Sequence, residues 1–436
     1  MRWLAVLLAA TSTLTSAGCG NARVMTSPFA VQAPVRTAPT GAARAARFAN
    51  RVVVKYRHGA SQAALRSFHQ RFALASVRDV SALGLGVLRL PAGTGTEGAI
   101  SRLQGHPAVE FVEPDYVFTV PRRPGNRQPA AKGGRTLASV GFDGAPWTVP
   151  QWGLTKIGMP QVWPVNGGSP AVTVAVIDTG VDPAHPDLAG AVVPGTNVLP
   201  NATGPDDDHG HGTHVAGIIA ASVADRKGVS GVAPNCRIMP VKVLDGEGKG
   251  DTGDIVAGLI WAVNHGARVV NMSLGGAGGS RALAAAIAYA RSKDVVVVAA
   301  MGNEGANIQE YPAGYPGVIA VGATDQDDAV ADFSNHGSWI SVAAPGVDIL
   351  SALPRLPVGL TRMEGKEPVQ DVMDGTSMAA PFVAGVAALI RSANPMLSAP
   401  EVRSRIERTC DDVGPPGFDA WTGWGRINAR RALLGQ

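Results

Sequence analysis

Cysteine is scarce in this sequence: there are three in 436 residues, at positions 19, 236 and 410. That excludes a small disulfide-stapled scaffold and leaves no cluster of thiolates for a structural zinc. Charge is thin as well, with 17% Asp, Glu, Lys and Arg and a formal net charge of +4. Aromatics make up only 5% and are not interleaved with runs of Lys or Arg, so nucleic-acid binding is not indicated. No fixed repeat occurs, so the 54 glycines mark turns and close backbone approaches rather than a solenoid or a fibre. What is abundant is apolar material, 45% of the chain, enough for a large core and a length that suits two domains.

The chain falls into segments. Residues 1–19 carry one early cation, Arg2, then the apolar stretch Trp3 to Ala10, then small residues up to Cys19. This pattern predicts an export signal, too short to span a membrane. Ser16-Ala17-Gly18-Cys19 is similar to a bacterial lipobox, with serine where leucine is usual. The expected product is exported, either secreted or lipid-anchored at the cell envelope through Cys19. Cys236 and Cys410 are then left to pair or to stand as separate buried thiols. Residues 20–50, rich in Ala, Pro, Thr and Arg, predict a disordered tether.

From 51 to 120 periodicity appears. Val52 to Tyr56 predicts a strand; Ala64, Leu65, Phe68 and Phe72 share a helical face; Gly86 to Leu90 predicts a strand, Ala99 to Leu103 a helix, and Val109 to Val112 a strand. This is a small α+β domain. Residues 121–145 read as an exposed linker, the kind of segment that is cut. Beyond it, over 146–436, Val-rich strands alternate with helices: Thr173 to Ile177, a helix from Thr213, Arg237 to Val243, a helix Asp254 to His265, Arg268 to Met272, a helix Arg281 to Ser292, Val295 to Ala300 and Val318 to Val321. The fold class is α/β, a mostly parallel sheet with helices on both faces.

Chemistry concentrates in Asp374-Gly375-Thr376-Ser377-Met378-Ala379-Ala380-Pro381, which opens an apolar helix. Ser377 is flanked by small residues and placed where a helix N-terminus directs unpaired N–H groups, an arrangement that suits a nucleophilic oxygen gaining charge. As an isolated motif it would be no more than a helix cap. A serine nucleophile needs a base and a group to orient that base. Asp207-Asp208-His209-Gly210-His211-Gly212-Thr213-His214 supplies histidines, and Asp178 ends a strand-length apolar run, where sites in open α/β sheets lie. The three histidines lack the helical spacing and the cysteine neighbours of a zinc site.

Val176-Ile177-Asp178-Thr179-Gly180, then His211-Gly212-Thr213-His214-Val215-Ala216-Gly217, then Gly375-Thr376-Ser377-Met378-Ala379-Ala380-Pro381, in that order, resemble the motifs of the subtilisin-like serine proteases, the subtilases. The resemblance runs from about Trp152 to Leu434 and implies a serine endopeptidase. Asp178 would orient His211, His211 would act as general base and then acid, and Ser377 would attack; His209 and His214 are the rejected candidates for the base. It also implies Asn303 as a donor to the oxyanion. Ser273, Leu274 and Gly275, with Gly248, Lys249 and Gly250, would be the backbone stretches that clamp an extended peptide. Glu310, at the floor of the primary specificity pocket, and Glu304 near its rim would tilt cleavage towards Lys, Arg or polar residues. Activity would fall on acidification, as His211 takes up a proton.

The same resemblance makes residues 51–120 an inhibitory propeptide, with Val112-Glu113-Pro114-Asp115-Tyr116 as its ending, and implies self-cleavage between Thr119 and Ala145. The partners are then protein or peptide substrates and the chain's own propeptide, acting on a monomer. Calcium is the expected cofactor, structural in role, at Asp187 and Asp225, with no organic cofactor. Asp206 to Asp208 read either as a second oxygen-rich site or as an acidic surface loop. The alternative to an enzyme is a catalytically silent surface or binding protein of the same fold.

Overall fold

The computed structural model describes residues 47–121, 151–200, 204–222 and 228–435. The export signal, Cys19, most of the tether and most of the linker lie outside them.

The strand Thr173–Asp178 is the axis of the larger sheet. Val174 and Val176 face a core shared with the helices His211–Ala220 and Thr376–Ala393. Ala175 and Ile177 face a second core shared with the helices Thr252–Asn264 and Arg281–Ser292. Val296–Ala300 divides in the same way, Val296 and Val298 to one side and Val297 and Ala299 to the other. A sheet that is apolar on both faces must be covered on both, as the alternating pattern predicts. The sheet has seven strands, paired in parallel in the order Val342–Pro345, Ile319–Thr324, Val296–Ala300, Val269–Met272, Thr173–Asp178, Arg237–Lys242 and Thr196–Asn197. The two outermost strands are short and have no sequence signal, because the sheet itself extends them.

Residues from Arg47 to Thr119 contribute four antiparallel strands in the order Ala75–Val80, Leu85–Arg89, Arg47–Tyr56 and Val109–Thr119. The helices Gln62–Arg71 and Thr96–Gln104 accompany them, and Phe68, Leu88, Leu103 and Val109 share a core. The first strand begins inside the segment read as tether, since backbone pairing of Arg47 with Tyr116 needs no side-chain period. Ala75–Val80 has a single buried residue and therefore no readable alternation.

The last strand runs well past Val112. Its far half pairs with Lys249–Asp251, so its partner is remote in sequence. The other face of this small sheet, with Val53, Leu85, Val87, Phe111 and Phe118, joins the core of the Thr252–Asn264 helix. Val87 packs against Gly253 in the space a Cβ would fill.

Candidate active site

Asp178 ends its strand fully buried, and its Oδ1 lies 2.7 Å from His211 Nδ1. The same oxygen accepts from the Thr179 N–H at 2.8 Å, so its orientation is fixed from two sides. His211 opens its helix beside the strand end because Gly212 permits the approach: a Cβ there would collide with the Gly180 carbonyl.

Asp207 secures this helix start. Its Oδ1 accepts from the N–H groups of His209 and Gly210 at 3.1 and 2.7 Å and from Thr179 Oγ1 at 2.8 Å. Its Oδ2 accepts from Thr213 N and Oγ1 at 2.9 and 2.7 Å. A carboxylate engaged on every side and facing a helix N-terminus is a cap. Asp208 pairs with Lys242 at 2.6 Å, so a cation already stands where calcium would have to come. Of the three acids Asp206 to Asp208, Asp207 is thus a helix cap and Asp208 an ion-pair partner.

His211, rather than His209 or His214, is the imidazole paired with Asp178. His214 lies on the same helix with its Nε2 directed to the Asp371 carbonyl at 3.1 Å. Burial pushes its pKa down to about 3, so it remains neutral.

Ser377 is the second residue of the Thr376–Ala393 helix. The nearby proline, Pro381, lies one turn deeper than the helix start. It has no N–H to give to the Ser377 carbonyl, and Ser273 Oγ donates there instead at 2.8 Å. Ser377 Oγ donates to the Ser273 carbonyl at 3.2 Å. His211 Nε2 is buried and has no hydrogen-bond partner among the described residues.

Asn303 follows the strand Val296–Ala300 and is aimed by Thr376, whose N–H and Oγ1 both donate to Asn303 Oδ1 at 2.9 Å. This turns Nδ2 outward, onto the Pro121 carbonyl oxygen at 2.9 Å. The two expected clamps hold the same strand. Thr119 exchanges hydrogen bonds with Gly275 at 3.0 and 2.9 Å, Phe118 lies opposite Gly250 and Thr119 opposite Lys249, and the Val120 N–H donates to Gly248 at 3.0 Å. With the chain's own strand in place, Asp178, His211, Asn303 and Ser377 are each no more than 2% exposed. No outside peptide reaches them in this state.

The Glu310 carboxylate lies against Gly275 and Gly302, where only hydrogen stands in place of a side chain. Burial first, and repulsion from Glu304 second, push its pKa up to about 8. Asn335 Nδ2 donates to Glu304 at 2.5 Å. Leu274, between the clamp residues Ser273 and Gly275, is fully buried in the core beneath.

Asp187 is buried; its Oδ2 accepts from the Val229 N–H at 2.8 Å and its carbonyl from the Ser222 N–H at 2.7 Å. Asp225 lies outside the described residues. Among those residues, no cluster of three or more His, Cys, Asp or Glu side chains is arranged for a metal. Cys236 and Cys410 are separate buried thiols.

The residues that sequence reasoning missed are the supports: Asp207, Thr179, Thr376 and Pro121. Asp207 alone had a signal, an acid just ahead of a predicted helix.

Residues 169–425 match the model of the Subtilase family, and residues 33–115 match that of the Fervidolysin N-terminal prodomain. The chain belongs to the subtilase family and is a serine protease with a fervidolysin-type prodomain. It is 40% identical to the Thermophilic serine proteinase of Bacillus sp. (strain AK1), over 77% of this chain and 76% of that protein. To Thermitase of Thermoactinomyces vulgaris it is 42% identical, over 65% of this chain and 95% of that one. Among solved structures, fervidolysin from Fervidobacterium pennivorans superposes with a TM-score of 0.76 at 32% identity, covering 89% of this chain and 61% of fervidolysin.

Proposed function

We infer that Asp178, His211 and Ser377 are the triad of this protease and that Asn303, with the Ser377 N–H, holds the oxyanion. One observation carries the reading: a peptide carbonyl, that of Pro121, rests on Asn303 Nδ2 at 2.9 Å, in a protein whose Asp178 and His211 are paired and buried at 2.7 Å. In the reaction His211 Nε2 takes the Ser377 hydroxyl proton as Oγ bonds to the substrate carbonyl carbon. The charge that moves to the carbonyl oxygen meets Asn303. The proton passes to the leaving amine, and water then resolves the acyl-enzyme by the same route in reverse. Asp178 keeps the ring oriented and steadies its charge.

Substrates bind as an extended strand between Ser273-Leu274-Gly275 and Gly248-Lys249-Gly250, the place the chain's own strand takes. Glu310, backed by Glu304, favours Lys, Arg or polar residues before the cut bond. Residues 51–120 inhibit, residues 146–436 catalyse, and export follows from the signal in residues 1–19. Calcium at Asp187 and Asp225 is supported by the buried Asp187 carboxylate, which packs into the space a Cβ on Gly228 would fill, three residues after Asp225. It would brace the loop that follows the His211 helix, and chelation should lower thermal stability before it lowers kcat.

The test is Ser377→Ala in the processed enzyme. Peptide hydrolysis should fall about 10⁶-fold, the loss known for the same change in subtilisin; a loss under tenfold would remove the assignment.

A further inference from the structure

The strand that delivers the Pro121 carbonyl to Asn303 has a gap in its ladder. Thr119 and Gly275 exchange both backbone hydrogen bonds, at 3.0 and 2.9 Å. In an antiparallel ladder the next exchanging pair falls two residues further along each strand, which sets Pro121 opposite Ser273. Proline has no N–H to give. The Ser273 carbonyl instead accepts from Ser377 Oγ at 3.2 Å, and His211 Nε2 is left unpartnered among the described residues. The Pro121 ring fills the space beside Glu310: a Cβ on Gly275 would stand 3.7 Å from Pro121 Cγ and against the Glu310 carboxylate.

We propose that the peptide bond on the carboxyl side of Pro121 is the bond this chain cuts in itself, and that the missing N–H of Pro121 makes the cut slow. The proposal rests on the triad reading above. The hydroxyl that must give its proton to His211 is drawn to Ser273 by an acceptor that any other residue at position 121 would occupy. When the cut occurs, Ser377 Oγ passes its proton to His211 Nε2 and forms an ester with the Pro121 carbonyl carbon. The bond to the Arg122 nitrogen breaks, and that nitrogen leaves as an amine carrying the proton. Water then gives a proton to His211 and its oxygen to the carbonyl carbon. The ester bond to Ser377 Oγ breaks, Oγ takes that proton back from His211, and Pro121 is left with a C-terminal carboxylate. The pairing of Val117 to Val120 with both clamps is unaffected, so the cleaved piece stays in the cleft as an inhibitor.

The full chain should be produced as wild type, Pro121→Ala and Ser377→Ala, and intact masses and new N-termini followed with time. The first cut should leave a fragment ending at Pro121 and another beginning at Arg122. In Pro121→Ala the same bond should be cut about tenfold faster, the worth of one restored hydrogen bond. A first cut at any other bond, or an equal or slower rate in Pro121→Ala, overturns the proposal. Ser377→Ala should stay whole. If it is cut like wild type, the triad reading itself fails. If it stays whole while the wild-type fragment ends elsewhere, only the present proposal falls.

Discussion

Glu113 Oε1 lies 2.6 Å from Ser280 Oγ, so a prodomain carboxylate completes the start of a catalytic-domain helix. The Arg281 and Ala282 N–H groups donate to the same carboxylate at 2.8 and 3.0 Å. Helix N-termini favour such a charge, and without it the buried Ser280 hydroxyl and Ala282 N–H would lose this acceptor. Glu113→Ala should therefore loosen the processed complex. Active enzyme should appear about tenfold sooner or more after self-cleavage, for a loss of about 1–3 kcal/mol. Following hydrolysis of a small peptide from the moment of processing measures this.

A second contact gives the complex a pH dependence. Arg51 bridges Asp115 at 2.9 Å and Asp251 at 2.7 Å, and Arg78 meets Asp254 at 2.5 Å. Burial first and Asp251 second raise Asp115 to about 7 and Asp254 to about 8; Arg51 and Arg78 oppose the rise, and Glu113 adds to it at Asp115. Hydrated and apart from Asp251, Asp115 returns to near 4, whereas Asp254 keeps Asp251 beside it. Between about 4 and 7 the complex thus holds a proton on Asp115 that its separated parts do not, so association weakens as pH rises through that window. Release of activity should be slower at pH 6 than at pH 9. Asp251→Asn, which retains the cap to the Asp254 N–H, should flatten the difference.

Selectivity should also follow pH. With Glu310 raised to about 8, its carboxyl is mostly neutral at pH 7 and mostly charged at pH 9. The kcat/KM ratio for Lys or Arg over Leu before the cut bond should climb across that interval, and Glu310→Gln should remove the climb. A ratio independent of pH in the wild type would take Glu310 out of the specificity pocket.

Asn303→Leu should lower kcat about 10²–10³-fold with KM little altered, the cost already known for such a donor in subtilisin. Stopped-time assays over a range of substrate concentration separate the two constants.

The sequence made the parallel sheet and its two covering layers legible, because alternation and helical period are local properties. Val174/Ala175 and Val296/Val297 each divide between two cores, and no distant partner is needed to see it. Ala75–Val80 and the far half of Val109–Thr119 were not legible, since their partners or their exposure deprive them of a period. In the site, Asp178 and His211 were readable from motifs and come together at 2.7 Å. The role of Ser273 was not legible: Pro381 removes a helix hydrogen bond, and which group replaces it depends on a residue 104 positions away. Asp207 could be read as a metal ligand or as part of an acidic surface loop, because acids in a row look alike until their donors are seen.

The most direct measurement is the intact mass of the processed enzyme after treatment with a serine-directed phosphonate, followed by mapping of the adduct. One adduct is expected, on Ser377, absent from Ser377→Ala and formed far more slowly in His211→Ala. An adduct of equal yield in Ser377→Ala, or on another serine of the wild type, would contradict it.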